Sequence, residues 1–363
     1  MTPGRRRARA IRAVMLGVLT AALGVAGGAG CSFPFDEVST VHDLRVLGIQ
    51  GEPPEVLIDL PADADFRDPA VQQILYLQIA STPVTLDPLV VDPLGGGAPL
   101  AYEVVACPNS GGSATVDEGP GGARGTVGTG PCSADAPASL PVASGKAPPD
   151  QMAVSFVPTA SFAAAVVTAD PLGALFGWPI RVQFRFTNGP ETVIAVKRIL
   201  YTPRIPDDPA AAEPRKPHAP NRNPVIPSVT AYLERGDAKE PLAPDVPRAV
   251  PLGSSVFIEP GLAEAEEYLT VVLDRDTNLP TVKTIPKEAL RYAFYATAGT
   301  FSPPSTSDEK RPVFEKSDVL HLESKYRAPD TMPPDPLVTV WILVRDERGG
   351  SSHVVRTLVL LEP

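Results

Sequence analysis

Cysteine and histidine are scarce in this sequence: its 363 residues include three cysteines and four histidines. The histidines are His42, His218, His321 and His353, and no two stand four residues apart, which excludes the His-Glu-x-x-His motif of a zinc protease. A Gly-x-Ser-x-Gly segment, the nucleophile turn of many hydrolases, is also missing. The glycine-rich segment 111–130 lacks the Gly-Lys-Ser/Thr ending of a phosphate-binding loop, so we expect a plain loop there. The sequence therefore predicts no catalytic chemistry and no cofactor.

The sequence also has fewer basic than acidic residues. Lysine and arginine total 32 against 42 aspartates and glutamates, and the formal net charge is −10. Residues 1–30 hold five arginines and no acidic residue, so the remaining 333 residues carry −15. Nucleic acids and anionic lipids bind basic surfaces. We therefore expect neither of them as a partner of the folded chain.

The first thirty residues have the layout of a secretory leader. The five arginines precede an uncharged stretch, 13–35, whose most apolar part, 14–25, spans only twelve residues. A membrane-spanning helix needs about 20 apolar residues, and glycines disfavour a helix here. The pattern predicts a cleaved signal peptide over 1–30. The alternative is a leader that is retained as an anchor.

The leader ends in Gly28-Ala29-Gly30-Cys31, which resembles the lipobox of bacterial lipoproteins. The resemblance implies cleavage before Cys31, a diacylglycerol on its sulfur and a lipidated tether over 31–40. In that family Ser32, as the residue after the cysteine, implies sorting to the outer membrane, on a face that the sequence does not specify. Two or three acyl chains hold a protein stably on a bilayer. The alternative is an ordinary signal peptide with a cysteine nearby.

Two cysteines remain, Cys107 and Cys132, with a glycine-rich stretch between them. Exported compartments are oxidising, so we predict a disulfide between them, with two free thiols as the alternative. Closing a loop of this length stabilises a fold by roughly 3–4 kcal/mol. A metal site is not expected at either cysteine, because neither has a second Cys or His close by.

Short apolar segments separated by turn residues predict an all-β chain. Segment 180–187 alternates strictly between apolar and polar residues, which predicts a strand with one buried face, and Asn188-Gly189 predicts a hairpin turn to a return strand at 192–201. Segment 337–344 is apolar on both faces, as in a central strand. The other predicted strands are 41–49, 74–79, 101–107, 152–157, 225–233, 255–258, 268–274, 290–297 and 354–361. Segment 161–175 predicts one short helix, and Asp68-Pro69 gives 74–79 a helical alternative.

Proline accounts for 44 residues and is densest in 203–227, which we interpret as a semi-stiff linker. It divides a first β-sandwich domain, 41–202, from a second, 228–363.

Three segments of the second domain resemble bacterial immunoglobulin (Ig)-like domains of the PKD-like and cadherin-like type. They are RYAFYATAGTF at 291–301, YRAP at 326–329 and VWILVRDERGG at 340–350. The start of the first domain, LRVLGIQGEPPEV at 44–56, resembles lipoproteins of large-genome Gram-negative soil bacteria. These resemblances imply two tandem antiparallel Ig-like sandwiches in an envelope lipoprotein.

Two groups of oxygen ligands are weak candidates for sites. Asp274, Asp276 and Asn278 have the alternate spacing of a calcium loop, but Leu279 and Ile285 occupy the positions where an EF-hand needs Gly and Glu. A looser calcium site and a polar turn both remain open. The carboxylates of Glu264, Glu266 and Glu267 are interpreted as a solvated stretch rather than a glycosidase pair.

The expected function is a lipid-anchored envelope protein with a structural, adhesive or binding role. Its expected partners are the membrane, through the lipid, and an envelope protein or a polysaccharide. One alternative is an accessory subunit of a secretion or transport complex. Another is a surface hydrolase, which requires His321 or His353 to lie beside a serine and an acid.

Overall fold

A computed structural model describes residues 38–61, 64–108, 132, 138–170, 172–206, 217–236, 238–242, 248–274, 277, 279–309 and 322–362. The signal peptide and Cys31 lie outside these residues, as do the loop 111–130 and most of 203–216. The described chain is mostly β-strand with few helices, which confirms the predicted fold class.

The first sandwich has eight strands in two sheets. The sheets have the strand orders β1-β3-β6 and β2-β8-β7-β4-β5, and every pairing is antiparallel except β2 with β8. The strands are β1 (Arg45–Glu52), β2 (Glu55–Ile58), β3 (Val84–Val91), β4 (Leu100–Pro108), β5 (Leu140–Ala147), β6 (Val154–Phe156), β7 (Trp178–Thr187) and β8 (Thr192–Pro203). The helices are α1 (Pro69–Ser81), the 3-10 turn Pro149–Gln151, α2 (Ala160–Ala169) and α3 (Gly173–Phe176).

The second sandwich contains two five-stranded sheets and a separate hairpin. Its sheets have the orders β10-β9-β12-β18-β16 and β11-β20-β19-β15-β17, with β11 parallel to β20; among the described residues, β13 pairs only with β14. The strands are β9 (Val229–Arg235), β10 (Ala238–Pro241), β11 (Arg248–Pro251), β12 (Ser255–Pro260), β13 (Tyr268–Leu273), β14 (Pro280–Ile285), β15 (Arg291–Ala296), β16 (Thr300–Ser302), β17 (Ser305–Ser307), β18 (Ser324–Arg327), β19 (Leu337–Arg345) and β20 (Ser351–Leu361).

Both sandwiches follow one strand order, and that order is Ig-like. In each, strands A, B and E form one sheet; they are β1, β3 and β6 in the first sandwich and β9, β12 and β18 in the second. The opposing sheet has the order A′-G-F-C-C′, which is β2-β8-β7-β4-β5 in the first sandwich and β11-β20-β19-β15-β17 in the second. The A′ strand is parallel to the G strand in both cases, as β2 with β8 and β11 with β20. The second sandwich adds the β13–β14 hairpin between its B and C strands, whereas the first adds α1 before strand B and α2 with α3 before strand F.

Helix α1 replaces the strand that was predicted at 74–79, so the helical alternative is correct. Asp68 caps the helix by accepting a hydrogen bond from the Ala70 amide at 2.8 Å, and proline follows at the first helical position. Val71, Leu75 and Ile79 recur at helical spacing and are buried. The predicted helix at 161–175 is divided into α2 and α3, and Thr159 caps α2 by accepting from the Phe162 amide.

A bulge in β1 contributes to the contact between the two sandwiches. The register of β1 against β3 shifts between Val46 and Gly48, so Leu47 pairs with no residue of β3. A bulge redirects a side chain, and Leu47 joins a buried cluster outside both sandwich cores. The other buried members of this cluster are Val41, Val91, Trp341 and Leu343. Strand β19 is thus buried on both faces, as predicted, because its outer face packs against the first sandwich.

Backbone hydrogen bonds at the start of the described chain join the same interface. The Ala296 amide donates to the Ser39 carbonyl at 2.9 Å, and the Val41 amide donates to the Ala296 carbonyl at 2.8 Å. Thr40 Oγ1 donates to the Gly299 carbonyl at 2.7 Å. Residues 39–41, at the junction of the predicted tether and the first domain, therefore pair with the second sandwich.

Candidate functional site

Arg348 occupies the centre of a buried polar cluster between the sandwiches. Its guanidinium donates to the Glu55 carboxylate, and both side chains are less than 10% exposed. It also lies 3.5 Å from the Glu266 carboxylate and 4.8 Å from the centre of the Tyr268 ring. These contacts connect strand β2 of the first sandwich to the base of the β13–β14 hairpin. We call Glu55, Asn221, Glu266, Glu288, Asp346 and Arg348 the Arg348 cluster.

The turn at 346–350, predicted from sequence, presents Arg348 to its partners. Asp346 Oδ1 accepts hydrogen bonds from the Arg348 amide at 2.9 Å and from the Gly350 amide at 2.7 Å. Gly349 has a φ of 98°, a backbone conformation that favours glycine. A Cβ at Gly350 would lie 2.9 Å from the Arg222 carbonyl oxygen, so a side chain at this position would displace neighbouring backbone. The turn is thus held by its own carboxylate and by two glycines.

Both carboxylate oxygens of Glu55 accept hydrogen bonds. Its Oε1 accepts from Thr202 Oγ1 at 2.6 Å, and its Oε2 accepts from the Asn221 amide at 3.0 Å as well as from Arg348. A buried carboxylate costs little only when it is both paired and hydrogen-bonded. Glu55 meets both conditions through residues of both sandwiches and of the predicted linker.

Segment 217–227, the described end of the predicted linker, packs between the sandwiches. Asn221 Nδ2 donates to Asp346 Oδ2 at 3.1 Å, and Asn223 Nδ2 donates to the Gly51 carbonyl at 2.8 Å. The Ser351 amide donates to Asn223 Oδ1 at 2.9 Å. The segment therefore bonds to each sandwich in turn.

Glu288 is the most perturbed acid of the cluster. Its side chain is 1% exposed, and burial raises its pKa to about 7, with a further contribution from the negative charge of Asp346. Its Oε1 accepts from the Glu266 amide at 3.0 Å, and its own amide donates to the Glu266 carbonyl at 3.0 Å. Glu288 Oε2 is buried and makes no hydrogen bond. These reciprocal bonds close the base of the β13–β14 hairpin beside Arg348.

Lys197 adds a second titrating group to the interface. Its Nζ, on β8 of the first sandwich, donates to the Gly349 carbonyl in the turn of the second. Burial lowers the pKa of Lys197 to about 8, and the negative charge of Asp346 opposes that shift. The interface thus joins a base and an acid, Lys197 and Glu288, whose charges both change near neutral pH.

The predicted cysteine pair is joined in the structure and holds Cys132 against the first sandwich. The Sγ atoms of Cys107, on β4, and Cys132 are bonded, with the Cα atoms 5.9 Å apart. The Cys132 backbone donates to Gln183 Oε1 and accepts from Gln183 Nε2, each at 3.0 Å. Arg181 Nη2 lies 3.8 Å from Cys132 Sγ.

The position of Cys132 explains why β7 differs from the sequence prediction. Strict alternation predicts one buried face, but Arg181 and Gln183, on the polar face, are both buried. The Cys132 backbone bonds to the Gln183 side chain, and the Cys132 sulfur lies against Arg181, so Cys132 covers both side chains. Alternation identified the strand correctly and could not indicate what lies over its polar side.

The weak calcium candidate is only partly described. Asp276 and Asn278 lie outside the described residues. Asp274 Oδ1 accepts from the Thr277 amide at 2.8 Å and from Thr277 Oγ1 at 2.9 Å, as in a capped turn. Within the described ranges, no group of three or more His, Cys, Asp or Glu side chains could hold a metal ion.

The three histidines that the structure describes, His42, His218 and His353, have separate environments. His42 is exposed, and His321 lies outside the described residues. His218 is buried and its Nδ1 accepts from the Ile205 amide at 2.9 Å. His353 is half-buried; burial lowers its pKa, and the negative charge of Asp87 opposes that shift. Over the described part of the chain, His353 makes no hydrogen bond to a serine.

The Arg348 cluster was missed by sequence reasoning because its members belong to no motif. Glu55 and Arg348 are 293 residues apart in the sequence. Glu266 was identified as an acid in a solvated stretch, but it is half-buried and lies beside Arg348. The glycine pair in the predicted turn at 346–350 was the one local signal of a constrained site.

The chain has little detectable similarity to known proteins. No family model matches the chain, and no curated protein matches it. A chimeric titin Z1Z2 carrying a KLER exogenous peptide from decorin is 11% identical, covers 89% of this chain and all of its own, and has a TM-score of 0.18. Extracellular domains 3–5 of Drosophila OTK are 8% identical, with coverages of 90% and 100% and a TM-score of 0.17. TM-scores this low do not indicate a shared fold, so the description as Ig-like is based on the strand order.

No helix within the described residues is long and apolar enough to cross a membrane.

Proposed function

We propose that this protein is a lipid-anchored component of a bacterial cell envelope that presents two Ig-like sandwiches as one rigid binding or structural body. The observation that carries the proposal is the interface. It combines a buried apolar cluster with the ion pair between Glu55 and Arg348. Interfaces between freely moving domains are usually polar and loosely packed. A rigid pair of sandwiches is suited to holding binding surfaces at a fixed distance and angle.

The proposed anchor is a lipid on Cys31, supported by the leader and by the lipobox-like sequence that precedes this residue. The body behind it is acidic, so the attachment to the membrane would depend on acyl chains and not on charge. We propose the outer membrane as the location because Ser32 follows the cysteine.

Mass spectrometry of the mature N-terminus tests the anchor directly. We expect a chain that begins at Cys31 and carries the mass of a diacylglycerol. A Cys31→Ser variant should leave the membrane fraction, whereas a matched Ser32→Ala variant should remain lipid-bound. Because an uncleaved leader could itself hold the variant, the mass of the Cys31→Ser chain is measured in both fractions. A wild-type chain that is unmodified at Cys31, or one that keeps its leader, would refute the anchor.

Membership of a larger envelope complex is the alternative, and a pull-down from detergent-solubilised membranes distinguishes the two. A stoichiometric partner that survives washing would favour the complex. For the hydrolase alternative, His353 is close enough to Asp87 to feel its charge, but it makes no hydrogen bond to a serine within the described residues. No specific observation favours that alternative.

A further inference from the structure

The second sandwich has a cleft on the sheet opposite to the one that packs against the first sandwich. The cleft has a volume of about 430 Å³ and lies where β9 meets the end of β12. Among the residues that line it are Ser228, Thr230, Tyr232, Glu259, Leu262 and Leu322. We call this the β9 cleft. Its volume is within the usual range for small-ligand sites, about 300–1,000 Å³.

The strand register and one glycine fix the shape of the β9 cleft. Thr230 pairs with Glu259, and Thr230 Oγ1 donates to the Glu259 carbonyl at 3.3 Å. The Gly261 amide donates to the Ser228 carbonyl at 2.8 Å, which joins the two walls. A Cβ at Gly261 would lie 2.6 Å from Ser228 Oγ, so any larger residue would displace that hydroxyl. The walls approach closely because this position has no side chain.

Several polar groups of the β9 cleft have no intramolecular partner. In the described chain, the Ser228 hydroxyl, the Tyr232 phenol and the Glu259 carboxylate make no hydrogen bond or ion pair. Elsewhere on the same sheet face the charges are paired: Lys239 with Glu323 at 2.6 Å and Lys325 with Glu234 at 2.7 Å. The polar groups of the cleft thus differ from these charged groups, which are paired.

The cleft also offers apolar surface beside these polar groups. Leu262 is 46% exposed, and the half-buried ring of Tyr232 pairs across the strands with Phe257. A saccharide combines both requirements: its hydroxyls donate to a carboxylate and exchange hydrogen bonds with side-chain hydroxyls, while its C–H faces pack on an aromatic ring and leucines. The lining residues that the structure describes include no lysine or arginine, and an anionic ligand would meet Glu259.

We propose that the β9 cleft binds a saccharide chain, with Glu259 and Tyr232 as its main contacts and with room for about one or two sugar rings. A cationic peptide could pair its ammonium groups with Glu259 and offer carbonyl acceptors to Ser228 and Tyr232, so it is the ligand class that the test must separate from a saccharide. The proposal builds on the binding role proposed above and is independent of the lipid. It gives that role a ligand class and a location.

Calorimetry and saturation-transfer NMR on the purified full-length protein test the assignment. The probes are maltohexaose, cellohexaose and chitohexaose, with a tetralysine peptide as the cationic comparison. We expect at least one hexasaccharide to bind and the peptide not to bind. Glu259→Gln should raise the dissociation constant about tenfold, because it removes a charged acceptor. Tyr232→Ala should abolish measurable binding, and Tyr232→Phe should retain part of it through the ring.

Glu362→Gln is the matched control, because it removes an exposed carboxylate outside the cleft. It should leave saccharide binding unchanged, and thermal unfolding should confirm that every variant is folded. The proposal is overturned if no hexasaccharide binds, if Glu259→Gln binds as wild type does, or if the peptide alone binds in a Glu259-dependent way. Loss of the membrane anchor with retained saccharide binding would refute the envelope location and leave this site standing.

Discussion

Replacing Glu288 with glutamine should change how the stability of this protein depends on pH. The folded-state pKa is about 7, whereas the ordinary value is 4.5. A native state that binds a proton more tightly than the unfolded state is stabilised at low pH, and this stability is lost as pH rises. The contribution is therefore fully present below about 4.5 and disappears as pH rises towards and beyond 7. Glutamine cannot titrate, so the variant should lack this dependence.

The size of the effect follows from the pKa difference. The gap between 4.5 and about 7 corresponds to roughly 3 kcal/mol, at 1.36 kcal/mol for each pH unit. Between about pH 5 and pH 8, the wild type should lose roughly 2 kcal/mol relative to the variant. The substitution keeps an acceptor for the Glu266 amide, which now bonds to Glu288 Oε1. Groups such as Glu347, whose pKa burial also raises, contribute equally to both proteins and cancel in the difference.

Urea unfolding of the two proteins at several pH values provides the measurement. The difference in free energy of unfolding should widen steadily as pH rises, with the glutamine variant becoming the more stable protein. Glu264→Gln, an exposed acid in the segment that leads to the hairpin, should run parallel to the wild type. Parallel curves for the wild type and Glu288→Gln would show that Glu288 is ionised at neutral pH in the folded protein, and the reasoning would fail.

Three further substitutions probe the interface and the disulfide. Arg348→Ala should cost roughly 3–5 kcal/mol of unfolding free energy, because Glu55 would stay buried without its cation; a loss below about 1 kcal/mol by urea titration would contradict this. Exchanging both Cys107 and Cys132 for serine should lower stability by roughly 3 kcal/mol under oxidising conditions, with no difference between variant and wild type after reduction. Trp341→Ala should cost roughly 3–5 kcal/mol and divide a single calorimetric transition into two; one unchanged transition would show that the sandwiches are coupled by other contacts.

The sequence predicted many of the strands but missed β3 (Val84–Val91), β5 (Leu140–Ala147) and several short strands. Strands β7, β8 and β19 were recognised from alternation, from the Asn-Gly turn and from a continuous apolar run. The two A′ strands, β2 and β11, have only four residues each and pair in parallel with strands far along the chain. Their sequences, EVLI and RAVP, do not alternate between apolar and polar residues. Parallel pairing also leaves no turn signal in the sequence.

The site was less predictable than the fold, since it depends on contacts between distant residues. The cysteine pair could be predicted because the sequence contains few cysteines to combine. The pairing of Arg348 with Glu55 could not be predicted, because the sequence offers 42 acidic residues as possible partners for this arginine. The raised pKa of Glu288 arises from burial, and burial of an acid has no sequence signature.

The two sandwiches share a strand order but use their F–G turns differently, and this difference determines how they are joined. In the first, the turn that follows β7 bonds within its own sandwich: Asn188 Nδ2 donates to Asp92 Oδ2 at 3.2 Å, and Glu191 Oε2 accepts from the Leu44 amide at 3.1 Å. In the second, the turn that follows β19 instead places Arg348 against Glu55 of the other sandwich.

An apolar contact such as the one around Leu47 and Trp341 supplies free energy but tolerates small rotations, because it has no preferred direction. Charged hydrogen bonds are directional, and a misplaced one would leave Glu55 buried without a partner. The apolar cluster therefore contributes non-directional adhesion between the sandwiches, and the pairing of Arg348 with Glu55 fixes their relative orientation.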